Sequence, residues 1–296
     1  MRSLKSLITA PLGIIRNRIF FFIFLNGFLL ALLVYFYTED NYEQQIFNAL
    51  ATQVKQSSTS QNSDSILINS LKLTYNLEKF RLSVFGNKEI NALKSNIIRP
   101  VTFDLMTGSG ACGSYSFVLS RLLDELGFET RFAQMKVGDN FGGHIIIEAK
   151  TDKGWVALDA SYNLYFKKKN GELASFRDVQ YDWAYFSKQV PADYDPSYSY
   201  SAVRYTNWEK VPVLMPMIKG GLNVVKGKEA ADEFSMRSLF VKKFNFLLKV
   251  TIVIYLLATM LFIRLYIRQS NEIKNFNLSL LFAKKSMHAI TTSKVA

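Results

Sequence analysis

The sequence predicts an α+β domain, helices plus an antiparallel sheet, set between two transmembrane helices. Three observations carry that prediction. Two long apolar runs lie toward the two ends of the chain. Between them, helix-patterned segments come first and strand-patterned segments follow, the order expected for helices packed on an antiparallel sheet. The basic excess sits beside the apolar runs and not in the middle.

The numbers behind this are simple. Of 296 residues, 49% are hydrophobic and 14% aromatic, too much apolar content for a disordered chain. With 15 Gly and 6 Pro, a collagen-like or linker protein is excluded as well. The net charge of +12 resembles a nucleic-acid footprint until it is located. Residues 38–243 hold 25 Lys/Arg against 23 Asp/Glu, whereas 1–37 and 244–296 hold 11 Lys/Arg and only Glu272. That distribution is a membrane-topology signal and predicts no nucleic-acid partner.

Residues 1–18 read as a cytoplasmic tail carrying Arg2, Lys5, Arg16 and Arg18. Residues 19–37 are 19 uncharged residues interrupted only by Asn26, close to the ~20 that cross a hydrocarbon core. Glu39, Asp40 and Glu43 follow, which places the N-terminus in the cytoplasm. A cleavable signal peptide has a shorter apolar region and small residues before its cut site. Here the run ends in Tyr-Phe-Tyr-Thr-Glu-Asp, so an uncleaved anchor is expected. The second run is 244–267, whose uncharged centre of 14 residues is extended by Lys249 and Arg264 snorkelling from its ends. An amphipathic surface helix is its alternative. Arg268, Lys274, Lys284 and Lys285 then make 268–296 a cytoplasmic tail. Residues 38–243 become one extracytoplasmic domain, and its lack of any disulfide suits a bacterial inner-membrane protein.

Within that domain, 41–56 reads as a helix with Ile46, Leu50 and Val54 on one face. Residues 56–65 are a polar loop, and Asp64 is placed to cap a helix running to about Phe85. A short helix over 88–97 stops at Pro100. A glycine-containing loop at 108–111 precedes a helix from Cys112 to about Leu126, ended by Gly127. Strands follow at 130–137, 144–149 and 155–159, the last two forming a hairpin. From there to about Trp208 the chain is tyrosine-rich and reads as irregular.

Chemistry enters at three residues. Cys112, the single cysteine, opens a helix, where backbone N–H groups and the helix dipole stabilise a thiolate. His144 is the one histidine on the same side of the membrane as Cys112, since His288 falls in the cytoplasmic tail. A cysteine nucleophile needs a base, and histidine is the usual one. Asp159 closes the strand paired with the histidine strand, where a carboxylate orients the ring. Each residue alone has an ordinary structural role. The order Cys, His, Asp on helix, strand and next strand is far more specific.

Gly110-Ala111-Cys112-Gly113-Ser114-Tyr115, followed by Leu119, Leu122-Leu123, Leu126-Gly127 and Arg131, resembles the nucleophile helix of the transglutaminase-like superfamily. His144-Ile145-Ile146-Ile147-Glu148 and Trp155-Val156-Ala157-Leu158-Asp159 resemble its histidine and aspartate strands. The resemblance covers about residues 100–165. It implies a papain-like core with Cys112 as nucleophile, His144 as base and Asp159 as orienter. The family often carries an aromatic two residues after the histidine, where this chain has Ile146.

The expected activity is acyl transfer from an amide through a Cys thioacyl intermediate, ending on water (protease or amidase) or on an amine (acyltransferase). The residues are the same for both outcomes. No cofactor is expected, and no metal: Cys112 and His144 are too few for a zinc site, and no acidic calcium loop is visible. Trp183, Tyr185, Tyr198 and Trp208 are candidates for an aromatic substrate groove. Anchoring at both ends predicts a membrane-proximal protein, peptide or glycan-linked envelope substrate. The competing expectation is a catalytically silent scaffold for an envelope assembly. A small transporter ranks last, since it would need polar groups inside the spans and Asn26 is the candidate there.

Overall fold

The computed structural model describes residues 4–60, 62–85, 97–108 and 111–292. In chain order the helices and strands are α1 (Leu4–Ser57), α2 (Ser63–Phe85), α3 (Val101–Thr107), α4 (Ala111–Glu125), β1 (Thr130–Val137), β2 (Asn140–Thr151), β3 (Gly154–Asp159), β4 (Leu164–Tyr165), α5 (Phe176–Tyr181), α6 (Trp183–Phe186), β5 (Tyr198–Arg204), α7 (Leu214–Lys226), α8 (Lys228–Asp232) and α9 (Lys243–Thr292). The chain divides into two compact units, Met1–Thr38 with Leu247–Ala296, and Glu39–Phe246.

The first unit holds the two apolar helices. Both are long and apolar enough to cross a membrane, with mean hydropathy 2.5 within Arg18–Ser57 and 2.4 within Lys243–Asn271. Only 17% and 11% of these apolar windows is buried, so neither behaves as the core helix of a soluble protein. Phe20, Phe24, Leu256 and Leu257 point outward. Asn26, the polar interruption, works between the helices. Its Nδ2 donates to the Phe22 carbonyl at 2.7 Å, and its Oδ1 accepts from Thr259 Oγ1 at 2.6 Å.

The second unit is α+β. Its five strands are antiparallel in the order β4-β3-β2-β1-β5. β2 and β3 form the expected hairpin, turning at Thr151/Gly154. On one face Phe132, Ile145, Ile147 and Leu158 pack against Leu119 and Leu123 of α4 and Leu67 and Leu71 of α2. On the other face Ala133, Met135, Ile146 and Ala157 are covered by Phe166, Phe176, Phe186 and Tyr200. A third cluster joins Phe47, Ala51 and Val54 of α1 to Val101 and Leu105 of α3 and to Val118 and Leu122 of α4.

Several expectations change. The helix expected at 41–56 and the apolar run before it are one continuous α1, because nothing in Thr38-Glu39-Asp40 breaks a helix. Asn62, not Asp64, caps α2, its Oδ1 accepting from the Ser65 N–H at 2.8 Å. α3 was not anticipated: Pro100 at its N-cap and Gly108, left-handed at φ +63, bracket seven residues too short to show periodicity. The helix expected over 88–97 lies outside the described residues apart from Ile97. The tract after Asp159 is ordered, not irregular. It contributes α5, capped by a Ser175/Asp178 capping box, and edge strand β5, which pairs with β1. Tyrosine alternation with serine in β5 is a strand pattern masked by the surrounding turn residues.

Candidate active site

Cys112 is the second residue of α4, half-buried. The helix begins abruptly, with Ala111 at φ +46. The first turn of a helix carries N–H groups that have no partner inside it, so the thiol sits among free donors. α4 is fixed against β2 by Ser116, whose Oγ donates to the Ile145 carbonyl at 2.8 Å. The Ile145 N–H in turn donates to the Cys112 sulfur. Thus the residue after His144 holds the cysteine helix through both its backbone groups.

His144 and Asp159 come from adjacent strands, and each is 1% exposed. His144 Nε2 and Asp159 Oδ2 are 2.6 Å apart. The other carboxylate oxygen, Oδ1, accepts from the Ser161 N–H at 3.1 Å, which fixes the aspartate. With Nε2 engaged, Nδ1 is the free side of the ring. It is buried, and besides Asp159 the side chain that acts on the His144 ring is Cys112. The structure therefore brings together Cys112, His144 and Asp159 in the order thiol, imidazole, carboxylate.

The electrostatics follow from that order. Burial disfavours a charged imidazole, but Asp159 outweighs it, and the Cys112 thiolate adds to Asp159, raising His144 from 6.5 to about 9. Burial pushes the Cys112 thiol up. The hydrogen bond and charge of His144, with the Ile145 N–H, more than compensate and leave it below the ordinary thiol value. Both shifts act in one direction, toward a thiolate beside an imidazolium.

Backbone geometry makes room for the ring. Gly142 adopts φ +95, and a Cβ on Gly143 would lie 2.7 Å from the Val137 side chain, closer than any real contact. This close approach sits beside the register shift between Met135 and Lys136, where β1 bends past the histidine.

Comparison with family models, with curated proteins and with solved structures returns no match. The chemistry of this site therefore rests on its own geometry.

The four aromatic candidates separate. Tyr198 stacks flat on His144, with ring centroids 4.1 Å apart and planes 6° from parallel. Trp183 stacks on Tyr200 at 5.1 Å. Tyr185 lines a cleft of about 560 Å³ with Lys169, Arg177 and Tyr181, a cleft whose walls include none of Cys112, His144 and Asp159. Trp208 stacks on Phe234 at 6.5 Å. They do not form one groove.

Other site residues escaped the sequence. Tyr162 meets His144 edge-on at 6.0 Å and, with Tyr198 and Tyr194, walls the imidazole–carboxylate pair. Its position three residues beyond Asp159 was the available signal. Beneath the start of α4, Glu78 of α2 is fully buried. Burial first, then the Asp104 charge, push its carboxyl up to about 8, against the Ser114 hydroxyl and Arg81. No sequence motif marks it.

Proposed function

We propose that this chain is a membrane-anchored cysteine enzyme of the transglutaminase-like type, acting on an amide in a membrane-proximal envelope substrate. The single observation that carries the reading is the 2.6 Å contact between buried His144 Nε2 and Asp159 Oδ2, on a ring that also feels Cys112 at the start of a helix. A papain-like core is the corresponding fold reading: the cysteine helix packs on an antiparallel sheet whose neighbouring strands supply the histidine and the aspartate. For location we propose a bacterial inner membrane, with both termini cytoplasmic and the domain outside. This rests on the flanking charges and on a cysteine-poor domain.

The mechanism follows from the groups present. The Cys112 thiolate attacks the carbonyl carbon, and the resulting oxyanion is held by N–H groups of the first turn of α4. His144 gives its Nδ1 proton to the leaving amine, the C–N bond breaks, and a thioester to Cys112 remains. Neutral His144 then takes a proton from water, or from an acceptor amine, as that group attacks the thioester and releases Cys112. Asp159 holds the Nε2 proton throughout, fixing the tautomer and stabilising the imidazolium. Tyr198 covers one face of the ring and limits water around the pair.

Cys112 is the sole cysteine, so alkylation of the full-length protein in neutral detergent reads this site alone. Rapid alkylation by iodoacetamide well below the ordinary thiol pKa of about 8.5, lost in His144→Ala, is the expected result. Slow alkylation in both proteins, with an ordinary thiol titration, would instead support the silent scaffold.

A further inference from the structure

The catalytic reading leaves two arginines unexplained. Arg204 ends β5, where it pairs with Gln134 of β1, and Gln134 pairs with Ile145 of β2. Directly paired residues share a face of the sheet. Arg204 therefore lies on the same face as Ile145, whose backbone holds Cys112 and Ser116. Its Nη2 reaches back to Gln134 Oε1 at 3.2 Å, while its Nε is buried with no acceptor. Arg237 comes from the distant turn Met236–Phe240. Ser235 Oγ accepts from the Phe132 N–H at 3.1 Å and Ser238 Oγ donates to the Thr130 carbonyl at 2.9 Å, which press this turn against β1. Arg237 Nη1 is also buried with no acceptor.

Both guanidinium groups thus come from segments packed on β1, next to the strand that carries Ile145. The charged groups that act on Arg237 are Cys112 and Arg204, with burial the larger influence and the Arg204 charge working in the same direction. Among the described residues, neither arginine has a carboxylate partner in an ion pair. Like charges with orphaned donors are costly unless an anion completes them. The guanidinium fork fits a carboxylate better than any other common group in a peptide. The thiolate itself offsets the pair while the enzyme is free. On acylation that negative charge disappears, and a carboxylate on the bound substrate takes its place.

We propose that Arg204 and Arg237 form an anion-recognition pair beside Cys112, and that the substrate carries a carboxylate next to the amide that is cleaved. The proposal rests on Cys112 being the nucleophile, and its test keeps the two apart.

The probes are iodoacetate and iodoacetamide, which deliver alkyl groups of similar size to the same thiol and differ by one negative charge. The ratio of their rates is measured on the full-length protein in neutral detergent. Arg204→Gln and Arg237→Gln should each lower the acetate-to-amide ratio by about threefold to tenfold, while Arg237→Lys retains most of it. A ratio unchanged in both glutamine variants overturns the pair. A second arm needs no substitution: succinate should slow alkylation of the unaltered protein by iodoacetamide, and neutral succinamide should not. Equal effects of the two overturn the proposal, and stronger protection by inorganic phosphate transfers the site from carboxylate to phosphate and overturns it as stated. If iodoacetamide alone shows an ordinary thiol titration, the nucleophile fails, and the substrate class falls with it whatever the ratio.

Discussion

At Asp159 the prediction is geometric. An asparagine there keeps the size of the side chain but presents an amide to Nε2, so the imidazolium loses its counter-charge. Asp159→Asn is expected to lower the rate of Cys112 acylation by about a hundredfold or more, with the fold intact by circular dichroism. At Gly143 the argument is steric. Its Cβ position lies 2.7 Å from both Cβ and Cγ2 of Val137, and a Cβ cannot rotate out of the way. Gly143→Ala should cost about 1–3 kcal/mol and displace His144, so thermal stability and alkylation rate fall together. Val137→Gly in the same chain, which removes both clashing atoms, should recover much of the alkylation rate. That Cys112, His144 and Asp159 belong together was legible from residue type, their order and the family resemblance. The tyrosine wall was only partly so, because a ring stacked on an imidazole and a ring exposed on a loop are written with the same letter.

Among the elements, α1 and α4 are joined by a buried charge. Arg121 is 2% exposed, contacts Glu43 at 3.4 Å and Glu125 at 2.7 Å, and lies 4.9 Å from the Phe47 ring. Removing one member of such a pair strands the other, so Arg121→Ala should destabilise the domain by about 3–5 kcal/mol. The double change Arg121→Met with Glu43→Leu should recover most of this in a denaturant titration, because the pair itself adds little net stability. Between the apolar helices, the Thr259–Asn26 hydrogen bond predicts that Asn26→Leu lowers their association by about 1 kcal/mol, read as a fall in thermal midpoint in detergent. Elements with clear periodicity (β1, the β2–β3 hairpin, α2 and α4) were readable to within a few residues. α3, α5 and β5 were not. They are short, and their stability comes from tertiary contacts, α3 with the neighbouring helices and α5 and β5 with the sheet, which no local pattern encodes.

For the whole molecule, the site couples stability to pH. His144 binds its proton more tightly when folded, about 9 against 6.5. Its stabilising contribution is complete below pH 6.5 and disappears as pH rises through about 9. Glu78 acts in the same direction: folding raises its carboxyl from 4.5 to about 8, so the native state gives up stability between those values as pH rises. Unfolding midpoints should therefore fall steadily from mildly acid to alkaline pH. Glu78→Gln should flatten the acid-to-neutral part and raise stability at pH 8 by about 2 kcal/mol, leaving the alkaline fall to His144. Acylation should follow a bell, rising as Cys112 ionises and falling as His144 loses its proton near 9.

One contact near the margin of the domain has a practical consequence. Asn245 Nδ2 donates to Asp40 Oδ2 at 2.9 Å, which brings the two ends of Glu39–Phe246 together. A peptide ligase joining those ends through a few glycines would close the domain covalently and remove the loop-closure entropy of its unfolded state. A cyclised domain of this kind would present Cys112, His144 and Asp159 in water, free of detergent, for crystallography and for screening carboxylate-bearing amides.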